Sequence, residues 1–145
     1  MKQNNAAKSR SRKFLVQAMY QAQLTGLDFA DVIEPFIQEH NMKRADLDYF
    51  RDVLRGIHNQ GDMLKALISE SLDRDYLELD PIERAILLLG SFELCARIDI
   101  PFRVVINESV ELANVFGATD SYKYVNSILD QVAKKTRQVE LNQAL

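Results

Sequence analysis

Asp80-Pro81-Ile82-Glu83-Arg84-Ala85-Ile86-Leu87-Leu88-Leu89-Gly90-Ser91-Phe92-Glu93-Leu94 is the stretch whose reading settles the fold class. Asp80 can accept from backbone N–H groups at an N-cap. Pro81 at the first helical position loses an N–H that would have no partner there, and Glu83 at N3 can reach back to the cap. From Ala85 onward the apolar side chains point almost all round the helix. A helix without a polar face needs neighbours on every side, so it belongs at the centre of a helical bundle.

The flanking segments supply those neighbours. From Phe14 to Leu24 the apolar residues follow a period of 3.6, and Gly26 ends the helix. Phe29, Val32, Ile33, Phe36 and Ile37 mark a second helix, with Pro35 predicting a kink or a late start. Residues 46–72 read as one long helix or two, since Gly56 and Gly61 weaken the middle. Beyond the central helix, Asp99-Ile100-Pro101 opens another. The β-looking Val104-Val105-Ile106 lies on a helical face that runs on to Phe116, so it reads as helix. Gly117 is expected to supply a left-handed stop, and Asp120-Ser121 opens a last helix through Val132. After about Lys135 the core pattern ends and the tail is expected to fray. The prediction is an all-α helical bundle of six or seven helices, a single domain over residues 1–145, with a seam near residues 72–80. No internal repeat is visible.

Composition agrees. The chain has 145 residues, 47% hydrophobic and 27% charged, with only 5 Gly and 3 Pro. That suits one globular core and is too few turn formers for a sandwich or barrel. No apolar run approaches the ~20 residues of a membrane span, and the N-terminus is polar and basic, unlike a secretory leader, so a cytoplasmic protein is expected. The single cysteine, Cys95, allows no internal disulfide and reads as a small buried hydrophobe.

Few residues point to chemistry. His40 and His58 lack convergent ligand partners, so no metal or other cofactor is expected. There is no phosphate-binding glycine loop and no nucleophile elbow. Glu108 and Glu111 share a helical face but have no visible partners, and an acidic surface is the simpler reading. The sequence argues against an enzyme.

Charge is distributed unevenly. The net charge is −3, yet Lys2, Lys8, Arg10, Arg12 and Lys13 crowd the first thirteen residues without one acid. A cationic arm on an acidic body suggests a polyanion site at one end. Lys8 and Arg12 are spaced i,i+4, and Arg10, Lys13, Gln17 and Tyr20 follow at three- and four-residue steps. On a helix starting near Ser9 they would present cations, an amide and a ring, which suit phosphates, a base edge and a stacked base of single-stranded RNA. A second candidate is the corner at Phe116, Asp120, Lys123 and Tyr124, where a helix start offers free N–H groups beside a cation and rings. There Asp120 would compete with phosphate as a cap. A solvated helix face and an ordinary helical corner are the plain alternatives, and the sequence does not say whether arm and corner meet.

At these residues the chain resembles the NusB family of bacterial transcription antitermination factors. The matching stretches are Val16-Gln17-Ala18-Met19-Tyr20-Gln21-Ala22-Gln23-Leu24, Tyr49-Phe50-Arg51-Asp52-Val53-Leu54-Arg55-Gly56 and Leu79-Asp80-Pro81-Ile82-Glu83-Arg84-Ala85-Ile86-Leu87. Two more are Ile100-Pro101-Phe102-Arg103-Val104-Val105-Ile106-Asn107-Glu108 and Phe116-Gly117-Ala118-Thr119-Asp120-Ser121-Tyr122-Lys123-Tyr124-Val125-Asn126. They occur in family order over roughly residues 8–136.

The resemblance implies two packed helical subdomains, about residues 8–72 and 73–136. It implies an RNA-binding partner of the ribosomal protein NusE that recognises the boxA element of nascent ribosomal transcripts and helps RNA polymerase, with other Nus factors, pass terminators. By position Lys8, Arg10, Arg12, Gln17 and Tyr20 match the family's arginine-rich segment. Phe116, Asp120, Lys123 and Tyr124 match its second RNA-contacting corner, and Glu83 matches a NusE-facing position. Ser9 and Ser11 interrupt what is often a denser arginine run, with Ser9 forgoing a phosphate contact, and Lys13 stands where relatives can carry an acid. Tyr122 takes a histidine-like position. Two other readings stay open: an isolated RNA-targeting module like the NusB-like domain of RNA methyltransferases, and a helical protein-interaction module. The acidic face could dock NusE or a second copy of the chain as a homodimer.

Overall fold

Ala85 to Leu94 are ten consecutive buried residues of one helix, as its all-round apolar sequence requires. The computed structural model describes the backbone of residues 2–144 and the side chains of residues 5–142, so the Lys2 side chain lies outside the described residues. Eight α-helices appear among them: α1 Lys2–Thr25, α2 Phe29–Glu39, α3 Leu47–Asn59, α4 Gly61–Ser69, α5 Pro81–Ala96, α6 Phe102–Phe116, α7 Ser121–Thr136 and α8 Gln138–Ala144, with a 3-10 turn at Tyr76–Glu78. No described helix is long and apolar enough to cross a membrane.

The central helix α5 packs against α1, α3, α4, α6 and α7. A close approach falls at Gly90, where a Cβ would lie 2.7 Å from Leu129 Cδ1 and 2.9 Å from Ser109 Oγ. Only a residue without a side chain lets α6 and α7 come so near. The start of α5 is built as expected on one side: Asp80 Oδ1 accepts from Glu83 N at 2.8 Å. The Glu83 carboxylate accepts instead from the Ser121 hydroxyl at 3.1 Å, tying α5 to the start of α7.

Several expectations are corrected. Helix α1 begins at Lys2, about two turns before Ser9, and near the end of this extension the Ala7 carbonyl accepts from Asp46 N at 3.3 Å. Of the two readings open for residues 46–72, the structure takes two helices, because the chain leaves helical geometry at Gln60, whose φ and ψ are −107° and 15°. Pro35 sits inside an unbroken α2, with its ring on the exposed side. Gly26 has the left-handed φ of 72°, but Gly117 does not: its φ and ψ are −89° and 172°. Gly117 is needed for space, since a Cβ there would lie 2.7 Å from the Ala113 carbonyl oxygen and 2.9 Å from Ser121 Cβ. Asp120 does not cap α7 with its side chain.

Beyond Lys135 the chain stays helical, with α7 running to Thr136 and α8 following. Arg137 is only 4% exposed and donates to the carbonyls of Leu94 (2.7 Å), Glu93 (3.1 Å) and Arg97 (2.9 Å), closing the C-terminal end of α5. Glu140 accepts from Phe102 N at 2.9 Å, filling the cap that Pro101 cannot provide for α6. These groups satisfy orphan helix-end atoms rather than apolar surface, so they leave no periodic signal. The added α8 and the split of residues 46–72 bring the count to eight.

Candidate nucleic-acid interface

The basic stripe of α1 divides into two faces. At 100° per residue, Arg10, Lys13, Gln17 and Tyr20 stay together while Lys8 and Arg12 turn away. Arg12 is not on an exposed arm; it is 3% exposed. Its Nε donates to both carboxylate oxygens of the buried Glu93, at 3.1 and 3.0 Å, and a terminal nitrogen lies 3.4 Å from Glu108 Oε1. Burial raises the Glu93 carboxyl above its ordinary range, against the pull of Arg12. Lys8 lies over the Tyr49 ring, 5.6 Å from its centre, and borders a hollow that also holds Asp99 and Glu108.

The two serines that thin the arginine run also have structural partners. Ser9 Oγ donates to Glu108 at 2.6 Å. Ser11 is buried; its hydroxyl donates to the Asp46 carbonyl and accepts from Asp46 N, both at 2.8 Å. Glu108 is thus the acceptor of a polar cluster between α1 and α6, and Glu111 is exposed.

The other face of α1 is open. Gln17 and Tyr20 line a hollow of about 340 Å³ with Phe116, Ile82, Val16, Gln21, Phe36 and His40. The arm and the end of α6, separated by almost a hundred residues, therefore share one surface. Tyr20 is 37% exposed. His40 stacks on Phe36 with ring centres 3.8 Å apart, and its Nδ1 lies 2.9 Å from the Phe36 carbonyl oxygen. Sequence reasoning passed over His40 because it looked for metal partners; its i,i+4 spacing from Phe36 was the available signal.

The rest of the corner lies beyond this hollow. Lys123 Nζ is 3.7 Å from Asp120 Oδ1, and both are exposed. The Tyr124 hydroxyl donates to Asp73 at 3.2 Å, and the Arg74 guanidinium lies 4.9 Å from the ring centre. Burial and the Asp73 carboxylate both push the Tyr124 hydroxyl above its ordinary pKa. Glu83 is half-buried beside Ile82, and burial together with Asp80 raises its carboxyl.

A second hollow, of about 460 Å³, adjoins the first through Gln17. It lies between α1 and the turn from α2 to α3, lined by Arg10, Lys13, Phe14, Asn41, Lys43, Arg44 and Ala45. Sequence reading missed Lys43 and Arg44, since two cations in a polar loop carry no sign of what they face. The larger concavity, about 900 Å³, lies near Leu27, Met63 and Leu77 and has no comparable group of cations. Among the described residues no group of three or more His, Cys, Asp or Glu side chains is placed to hold a metal ion. Cys95 is half-buried, and burial pushes its thiol up.

An all-α bundle with an open cationic and aromatic surface is the class that fold and site define. Residues 9–134 match the model of the NusB family. The chain is 44% identical over 138 residues to the transcription antitermination protein NusB of Alcanivorax borkumensis, covering 95% of this chain and 92% of that one. It is 46% identical over 132 residues to that of Pectobacterium carotovorum, covering 91% and 95%. The solved structure of T. maritima NusB superposes with a TM-score of 0.81 at 29% identity, over 92% of this chain and 96% of that one. The chain belongs to the NusB family.

Proposed function

We propose that this chain is a transcription antitermination factor that acts by binding unpaired RNA, with no catalytic step of its own. The observation that carries the reading is the shared hollow of Gln17, Tyr20 and Phe116. An amide and two rings there suit base edges and base faces, and Lys13 and Arg10, about one and two turns before Gln17, suit phosphates. Lys123 and Tyr124 extend the surface past the α6–α7 corner, and Asp120 limits the charge there. Lys8 and Arg12 support this surface from behind: Arg12 fixes α1 to α5, and Lys8 borders the acidic hollow.

The RNA in this reading is a boxA-type element of a nascent ribosomal transcript. The protein partner is NusE, docking beside Glu83, and the setting is a transcribing RNA polymerase with other Nus factors in the cytoplasm. A basic partner meeting an acidic body would associate faster through charge than through contact area alone.

A gel shift with boxA and scrambled RNA, with and without NusE, tests this. Preferential binding of boxA, tightened by NusE and weakened steeply by salt, is the expected result. Equal binding of both RNAs, or affinity indifferent to salt, overturns it in favour of a helical protein-interaction module.

A further inference from the structure

We propose that the turn between α2 and α3 is the opposite wall of the nucleic-acid track: Lys43 and Arg44 on one side, and Arg10 and Lys13 on the other, hold the sugar–phosphate backbone of a single strand as it leaves the ring-lined hollow. The proposal rests on the RNA reading above and adds a site to it.

Three observations carry it. First, the hollow has four cations and no carboxylate in its lining. Among the described residues none of the four is in an ion pair, whereas Arg12, Arg51, Arg74, Arg97, Lys123, Lys135 and Arg137 all are. Four like charges gathered on a chain of net charge −3 repel one another, and an anion between them relieves that repulsion.

Second, the wall is fixed before any ligand arrives. Ser11 clamps Asp46 by two 2.8 Å hydrogen bonds, and Ala45 N donates to the Met42 carbonyl at 3.0 Å. Met42 is buried in the core, and Asn41 Oδ1 accepts from Lys43 N at 3.2 Å. A cleft held by its neighbours loses little freedom on binding.

Third, Gln17 lines both this cleft and the hollow of Tyr20 and Phe116. The half-buried Phe14 adds a ring at its floor. A ligand lying across the two must be anionic and carry flat apolar groups. That describes a single-stranded nucleic acid better than an acidic peptide.

The test is fluorescence anisotropy with a labelled single-stranded boxA RNA, titrated between about 50 and 200 mM salt. Two losses of charge are compared: Lys43→Gln with Arg44→Gln in the turn, and Lys134→Gln with Lys135→Gln near the end of α7. Circular dichroism checks that each variant folds; Lys43→Ala with Arg44→Ala serves as a second version of the first. The expected result is that the turn variants lose about 1.4 from the slope of log affinity against log salt, ~0.7 for each lost phosphate contact, while the α7 variant keeps the slope. A wild-type slope in the turn variants overturns this inference and leaves the RNA reading standing. Failure of the wild-type chain to bind any RNA with salt dependence overturns both. Displacement of the RNA by polyglutamate at equal charge assigns the cleft to an acidic protein and also overturns the inference.

Discussion

Arg12 on α1 and Glu93 on α5 form an ion pair sealed from solvent, with Nε 3.1 and 3.0 Å from the two carboxylate oxygens. One cation of the basic N-terminal stripe is thus part of the joint between α1 and the central helix. Removing one member of such a pair leaves a buried charge with no compensation.

Arg12→Ala is therefore expected to lose about 3–5 kcal/mol in a urea titration, while Arg10→Ala stays within about 0.5 kcal/mol of the parent. The joint substitution of both arginines would therefore destabilise the protein for reasons unrelated to RNA. The loss in Arg12→Ala also depends on pH. Burial holds the Glu93 carboxyl above the ordinary value of 4.5, and deleting Arg12 removes the main influence pulling it down. A carboxyl raised on folding contributes stability below its unfolded value, and that contribution disappears as pH rises through its folded value. The gap between variant and parent should widen from pH 4.5 upward; a gap that is constant or shrinks would count against the pairing.

Tyr20→Ala should weaken binding of single-stranded RNA by about tenfold or more, since stacking on one ring is worth ~1–3 kcal/mol. Phe116→Ala should do the same, and the pair should be less than additive because both line one hollow. Isothermal titration of the two single variants and the double variant measures this. Full additivity would mean the rings act at separate places.

Asp120→Asn should tighten RNA binding a few-fold and leave the melting temperature unchanged. The carboxylate does not cap α7, and it lies 3.7 Å from Lys123 Nζ. Neutralising it frees that cation and removes a charge that repels phosphate. Weaker binding would show that the carboxylate receives a hydrogen bond from a base.

Gly117→Ala is expected to destabilise by about 1–3 kcal/mol although its backbone is in a region open to every residue. The added methyl would meet the Ala113 carbonyl and Ser121. Gly26→Ala should also cost stability, about 1 kcal/mol, by the separate route of a left-handed φ. Thermal denaturation of both separates the two causes: replacing Gly26 by Asn recovers stability, and replacing Gly117 by Asn does not.

Arg137→Ala should cost about 3 kcal/mol and release α8, because three carbonyls at the end of α5 lose their donor. Hydrogen exchange should quicken at the end of α5 and at Phe102 N, which donates to Glu140. Unchanged exchange at Phe102 would mean that α8 holds its place without the arginine.

The all-helical architecture and the place of its central helix could be read directly from residues. Asp80 and Pro81 mark a helix start by local hydrogen bonding, and the apolar run from Ala85 to Leu94 dictates burial whatever surrounds it. Gln17, Tyr20 and Phe116 were legible as residue types suited to RNA. Their meeting in one hollow depends on how α1 packs beside α5 and α6, which no local period encodes. The division of the basic stripe was equally hidden. Arg10 and Arg12 are chemically identical, and only the partner opposite each decides whether the charge is bound to Glu93 or left open to solvent beside Lys43 and Arg44. Helix formation is governed by neighbours within four residues of the chain. The electrostatic role of a side chain is governed by groups brought near from distant parts of it.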